Sequence, residues 1–144
     1  MPRRTVNSLL VPKFEVPSSF EELFNLRIAS VKGWLTREES FLLYSLSHYV
    51  GDALRIVEIG SYEGKSTVTL GLGSRKGVFI ESVDPHTGDI SEVQKGLSID
   101  THDNFLRNIE SAGVSRKIIV KRMTSIDAAK MYSGPQIGML FIDG

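Results

Sequence analysis

The residues best spaced for chemistry lie in the stretch Val57 to Thr67, VEIGSYEGKST, and at Asp84, which follows Gly60 by 24 residues. Gly64-Lys65-Ser66 reproduces the tail of the nucleoside-triphosphate loop, but that loop needs four residues between its first glycine and the Gly-Lys pair. Here there are three, Ser61, Tyr62 and Glu63. Glu63 would also put a carboxylate where backbone N–H groups must face several negative charges. A triphosphate is therefore set aside. Read as the turn after a buried strand, the stretch makes different sense. Gly60 lets the chain take a positive φ or approach a ligand closely, and Gly64 lets a helix start tight against the strand. An acid about 20 residues after such a turn accepts hydrogen bonds from ribose hydroxyls. Asp84 meets that spacing, so the ligand class is one that contains a ribose.

Spacing alone leaves NAD and S-adenosylmethionine open. A pyrophosphate requires a glycine in the middle of the turn so that backbone amides close on it, and Tyr62 holds that place. Glu58, one residue inside the strand end, suits the cationic end of an amino-acid moiety, which a dinucleotide lacks. Lys65, Ser66 and Thr67 read as first-turn helix residues, with Ser66 able to donate a hydrogen bond to a carboxylate. His86 follows Asp84-Pro85 in the loop over this site. Its ordinary pKa suits proton transfer near neutrality, which makes it a candidate general base toward an acceptor hydroxyl. His48 and His102 read as packed or solvated helix residues. No set of Ser, His and Asp is placed for hydrolysis.

These residues need elements to hold them. Four short apolar runs, LRIVEI, GVFIESV, KIIVKR and IGMLFI, have the continuous hydrophobicity of buried parallel strands. Between them lie the helical stretches KSTVTLGLG, THDNFLRNIESAG and SIDAAKMY. Strands alternating with helices imply right-handed crossovers and a Rossmann-like, doubly wound parallel α/β sheet in three layers. Ahead of them, residues 1–17 read as an irregular arm. SSFEELFNLRIASV follows as a short helix capped by Ser18 or Ser19, and TREESFLLYSLSHYVG as a stronger one. In the latter Thr36 and Glu39 form a capping box, and Leu42, Leu43, Leu46, Tyr49 and Val50 recur at helical spacing. Trp34 and Phe41 are expected to anchor these helices. The organisation is thus 1–53, arm and helices packing on the core, and 54–144, the cofactor-binding half. Pro85 to Gly96 is a polar loop of the kind that carries function.

Composition bounds the partners. Seventeen Lys and Arg balance seventeen Asp and Glu, so the broad positive field of a nucleic-acid binder is absent. No segment has the length of a membrane span, and the start is too short in apolar residues for a secretory signal. The absence of cysteine excludes disulfides and thiolate chemistry and suits a cytoplasmic location.

VEIGSYEGKST, SVDPHTGD, THDNFLRNIESAGV and MLFIDG, in that order and at these spacings, resemble the class I S-adenosylmethionine-dependent methyltransferases. Their nearest likeness is the branch whose fourth strand ends in Ile-Asp-Gly, which includes uncharacterised O-methyltransferases and cephalosporin-hydroxylase-like proteins. The resemblance covers roughly Leu54 to Gly144. It implies methyl transfer to a small-molecule hydroxyl, with S-adenosylmethionine held by Glu58, Gly60, Ser61, Tyr62, Gly64 and Ser66 at the turn. It further implies Asp84 and Pro85 at the ribose, and Met123, Thr124 and Ser125 at the adenine. Asp143 would face the methyl-transfer site, and His86 or an Asp143-bound cation would lower the cost of deprotonating a small-molecule acceptor. In metal-dependent relatives the acid at the position of Asp143 binds a divalent cation such as Mg, for which a carboxylate oxygen is a suitable ligand. The family continues beyond its fourth strand to complete a seven-stranded sheet. A fragment or shortened record is the expectation, with an apolar edge on the fourth strand that invites a second copy. A chain in this form is expected to bind cofactor weakly and to catalyse poorly. The alternatives kept are an NAD-dependent oxidoreductase and a non-catalytic nucleoside-binding or interaction domain.

Overall fold

The computed structural model describes residues 16–88, 95–96 and 99–143. The arm through residue 15, most of the far half of the loop Pro85 to Gly96, and Gly144 lie outside the described residues. Helix α1 spans Ser18–Arg27 and α2 Arg37–His48. The core then alternates β1 (Arg55–Ile59), α3 (Lys65–Gly73), β2 (Phe79–Val83), α4 (His102–Ser111), β3 (Ile118–Lys121), α5 (Ser125–Met131) and β4 (Ile137–Ile142). All strand pairs are parallel, in the order β3-β2-β1-β4. The order reverses direction at β1, which places the topological switch between β1 and β4, where open α/β sheets bind ligands.

The two N-terminal helices obey different start signals. Thr36 caps α2: its hydroxyl accepts from Glu39 N (3.2 Å), and Glu39 Oε2 accepts from Thr36 N (2.8 Å). Neither Ser18 nor Ser19 caps α1. Pro17 takes that position with φ −60°, and its carbonyl accepts from Phe20 N and Glu21 N. The buried stripe of α2 also differs from the one expected. Leu43 and Val50 are buried, but Leu42, Leu46 and Tyr49 are exposed, and the inward positions between belong to Ser40 and Ser47. The reason is the closeness of α3. A methyl group at Gly73 would lie 2.3 Å from both Tyr44 O and Ser47 Oγ, so only small residues fit at this crossing.

The sheet is covered unequally. On one face Ile56 and Ile80 pack with Leu43 of α2, Leu70 of α3 and Val50 just after α2, and a neighbouring cluster joins Phe20, Val68, Phe105 and Ile109. On the other face, among the described residues, α5 lies over Val57 and Val83 through Ala128. Leu140 and Ile142 of β4, aligned with Val57 and Ile59, stay 54% and 63% exposed. Arg55 carries two buried guanidinium nitrogens with no hydrogen-bond partner among the described residues, and its charge rests over the Phe79 ring at 5.5 Å. Lys117, at the entry to β3, donates to Gly71 O (3.0 Å) and Ser74 O (2.6 Å) at the end of α3. No helix among the described residues is long and apolar enough to cross a membrane.

Candidate functional site

The turn from β1 into α3 owes its shape to left-handed backbone at Gly60 (φ 83°), Tyr62 (φ 49°) and Gly64 (φ 92°). Gly64 is required twice over, since a methyl group there would also lie 3.0 Å from Phe105 Cδ2. Asp84, at the end of β2, holds the turn. Its Oδ2 accepts from Ser61 N and Tyr62 N, both at 2.8 Å, and its Oδ1 accepts from His86 N at 2.6 Å. These bonds take three of the four lone-pair positions of the carboxylate. Asp84 is thus a clasp between two loops with one acceptor position, on Oδ1, left for a ligand hydroxyl.

Glu58 lies beneath the first turn of α3, fully buried. Thr67 Oγ1 donates to its Oε2, as does Ser82 Oγ at 3.1 Å from the directly paired position on β2. Burial pushes its pKa up to about 7; the hydroxyls of Ser66, Thr67 and Ser82 pull it back, and the charge of Asp143 adds to the rise. Oε1 has no well-formed hydrogen bond, and the buried hydroxyl of Ser61 has no partner among the described residues. A buried polar atom without a partner is costly, and its presence at a turn of this kind suits a ligand that completes it.

A cleft opens above the turn. Gly60, Ser61, Tyr62, Lys65 and Ser66 form its floor, Asp143 one end, and Lys32 to Leu35, the connection between α1 and α2, its outer wall. It encloses about 70 Å³, against roughly 300 Å³ or more for a pocket that swallows a cofactor-sized ligand. The cleft formed by the described residues therefore has room for only one end of a cofactor-sized ligand. Asp143 N donates to Ile59 O (2.9 Å), which ties the tip of β4 to β1. Partial burial and the nearby Glu39 carboxylate raise the Asp143 pKa.

The remaining expected residues stand elsewhere. His86 is 2% exposed and lies away from the cleft, with Nδ1 2.9 Å from Thr101 Oγ1 and its ring against Phe105 and His102. Burial lowers its pKa. The structure does not bring His86 and Asp143 together. Pro85 connects Asp84 to His86 by a trans peptide. Thr124 caps α5, its Oγ1 accepting from Asp127 N, and Ser125 begins that helix; both are exposed at the carboxyl end of β3, outside the cleft. Among the described residues no three His, Cys, Asp or Glu side chains converge as a metal set. Trp34 is not the anchor expected of it. It is 84% exposed, and its ring lies 5.1 Å from that of Tyr62.

A family model described as a methyltransferase domain matches residues 57–144. Similar solved structures include cofactor-bound Rv0187 from MTB, at 18% identity and TM-score 0.62, which aligns over 88% of this chain and 52% of its own. The O-methyltransferase from Bacillus cereus in complex with SAH has 22% identity and TM-score 0.59, over 94% of this chain and 57% of its own. The O-methyltransferase TomG from Streptomyces achromogenes, in complex with SAM, has 15% identity and TM-score 0.60, over 90% and 55%. The chain spans little more than half the length of these structures, and the likeness establishes a shared Rossmann-like fold. No curated protein sequence matches significantly.

Proposed function

The chain belongs to the methyltransferase-domain family, and from that premise we propose that its cleft binds S-adenosylmethionine for methyl transfer to a small-molecule hydroxyl. The observation that carries this reading is the clasp of Asp84 on the left-handed turn at the sheet's switch point, with Glu58 Oε1 and the Ser61 hydroxyl buried below it without a well-formed hydrogen bond among the described residues. The residues fit the cofactor. Ionised Glu58 offers an acceptor for an ammonium group, and the first turn of α3 presents free N–H groups and a positive dipole end to a carboxylate. Asp84 Oδ1 retains one acceptor position for a ribose hydroxyl. Pro85, Thr124 and Ser125, at the same end of the sheet, are assigned to the nucleoside.

When bound, S-adenosylmethionine supplies an electrophilic methyl group on a sulfonium. The chain contributes mainly proximity and orientation. Asp143, at the end of the cleft, is the group here able to accept a proton from an acceptor hydroxyl, and its raised pKa suits that task better than an ordinary aspartate's would. His86 acts at a distance, holding Asp84 through its N–H. Among the described residues Asp143 has no companion ligands for a divalent cation. A cytoplasmic enzyme is the setting that a cysteine-free chain supports. A homo-oligomer through β4 is the assembly supported by exposed Leu140 and Ile142, and sedimentation over a concentration series tests it.

Calorimetric titration with S-adenosylhomocysteine and with NAD, on the wild-type chain and Asp84→Ala, tests the main reading. Binding of the homocysteine compound that the substitution abolishes is the expected result. Binding of NAD in its place overturns it.

A further inference from the structure

An indole side chain buries 150–250 Å² when it packs, so leaving one in water forgoes one of the largest hydrophobic gains open to a single residue. Trp34 is left in water, although its chain neighbours are fixed. Gly33 O accepts from Lys65 Nζ (3.4 Å), the first residue of α3. Gly33 itself has φ 154°, and a methyl group there would lie 3.1 Å from Lys65 Cβ. On the other side Leu35 packs into the cluster of Leu43 and Leu70. The backbone is thus held on both sides of a side chain that joins none of the hydrophobic clusters. What Trp34 does meet is Tyr62, the left-handed residue whose N–H is held by Asp84. It forms a wall of the same cleft as Ser61, whose buried hydroxyl lacks a partner, and Asp143.

We infer that Trp34 is a ligand-contacting residue: the connection between α1 and α2 is the outer wall of the cofactor cleft, and the bound cofactor lies between the indole and the glycine turn. This rests on the reading of the cleft as an S-adenosylmethionine site. It gives the N-terminal helices a part in binding, and it accounts for the exposure of the ring, because the surface left bare in the free protein is the surface the ligand covers. The Gly33 geometry has the same purpose. It brings the wall within reach of α3 without filling the cleft.

Trp34 is the single tryptophan of the chain, so its fluorescence reports this wall alone. In the free protein the emission is expected to be that of a solvated indole, readily quenched by acrylamide, since the residue is 84% exposed. Saturation with S-adenosylhomocysteine is expected to shift it to the blue and to reduce acrylamide quenching at least twofold. Calorimetry of Trp34→Ala is expected to show S-adenosylhomocysteine binding weakened about tenfold, with Trp34→Phe recovering most of the loss, as for an aromatic contact in a ligand site. Normal heat of binding with unchanged emission, unchanged quenching and equal affinity in Trp34→Ala overturns the inference and leaves the cofactor reading intact. Absence of any S-adenosylhomocysteine heat in the wild-type chain overturns the cofactor reading, and the inference with it.

Discussion

The two ends of the cleft are built to different standards. At the turn, backbone shape, side-chain approach and hydrogen bonds each demand the same geometry: Gly60 and Gly64 take positive φ, Phe105 leaves no room at Gly64, and Asp84 gathers three N–H groups. At the Asp143 end one strand tip is tied to β1 by a backbone bond, and the acid stands without companion ligands among the described residues. Binding a large cofactor in one orientation needs a rigid, preorganised frame, whereas the proton-transfer end needs one group at a tuned pKa. The difference teaches that, under the proposed function, substitutions at the turn are expected to cost both fold and affinity, and those at the tip turnover alone.

That contrast breaks most readily at Gly64. Gly64→Ala forces a left-handed alanine into contact with Phe105, and we expect a loss of about 2–4 kcal/mol in chemical denaturation together with loss of S-adenosylhomocysteine binding. A smaller loss, about 2–3 kcal/mol, is expected for Asp84→Ala, which leaves the N–H groups of Ser61 and Tyr62 without an acceptor. Wild-type stability there would show that solvent replaces the clasp.

Glu58 sharpens the comparison through pH. Its pKa in the fold, about 7, lies above the ordinary 4.5, so the group's contribution to stability is complete below about pH 4.5 and is lost as pH rises through about 7. The loss amounts to ~3 kcal/mol. Glu58→Gln should flatten the fall in stability between about pH 5 and 8; an unchanged slope would falsify the assignment. A ligand that pairs with the ionised carboxylate binds more tightly as pH rises through the same range. The smallest structural effect belongs to Asp143→Asn, expected within about 0.5 kcal/mol of wild type. S-adenosylhomocysteine affinity should also change less than threefold, so a tenfold loss would place Asp143 in cofactor binding.

Much of this was legible in the sequence because local chemistry enforced it. Helix α3 begins and ends as read, Lys65 to Gly73, since Gly64 ends the left-handed turn, and β4 coincides with IGMLFI because its apolar run has the composition of a parallel strand, although the strand is largely exposed and not buried as that pattern implied. What escaped depends on approaches between distant segments. The buried stripe of α2 is partly serine because Gly73 comes so near, which no hydropathy pattern on α2 alone expresses. His86 reads as a candidate general base in a polar loop until Thr101 and Phe105 of the next crossover are seen to bury the imidazole. Trp34 reads as an anchor under the rule that large aromatics go inside. The Gly33-Trp34 pair in the short connection between α1 and α2 was the available signal that a fixed backbone, and not packing, decides its place.

Lys117 joins the end of one crossover to the start of the next strand, and burial lowers its pKa as its ammonium is drawn from water toward the carbonyls at the end of α3. The last turn of α3 therefore cannot open unless the entry to β3 opens with it. Amide protons of the two segments, separate in sequence, are expected to exchange with solvent at a common rate set by one shared opening. Acetylation of that single amine would split the rate in two.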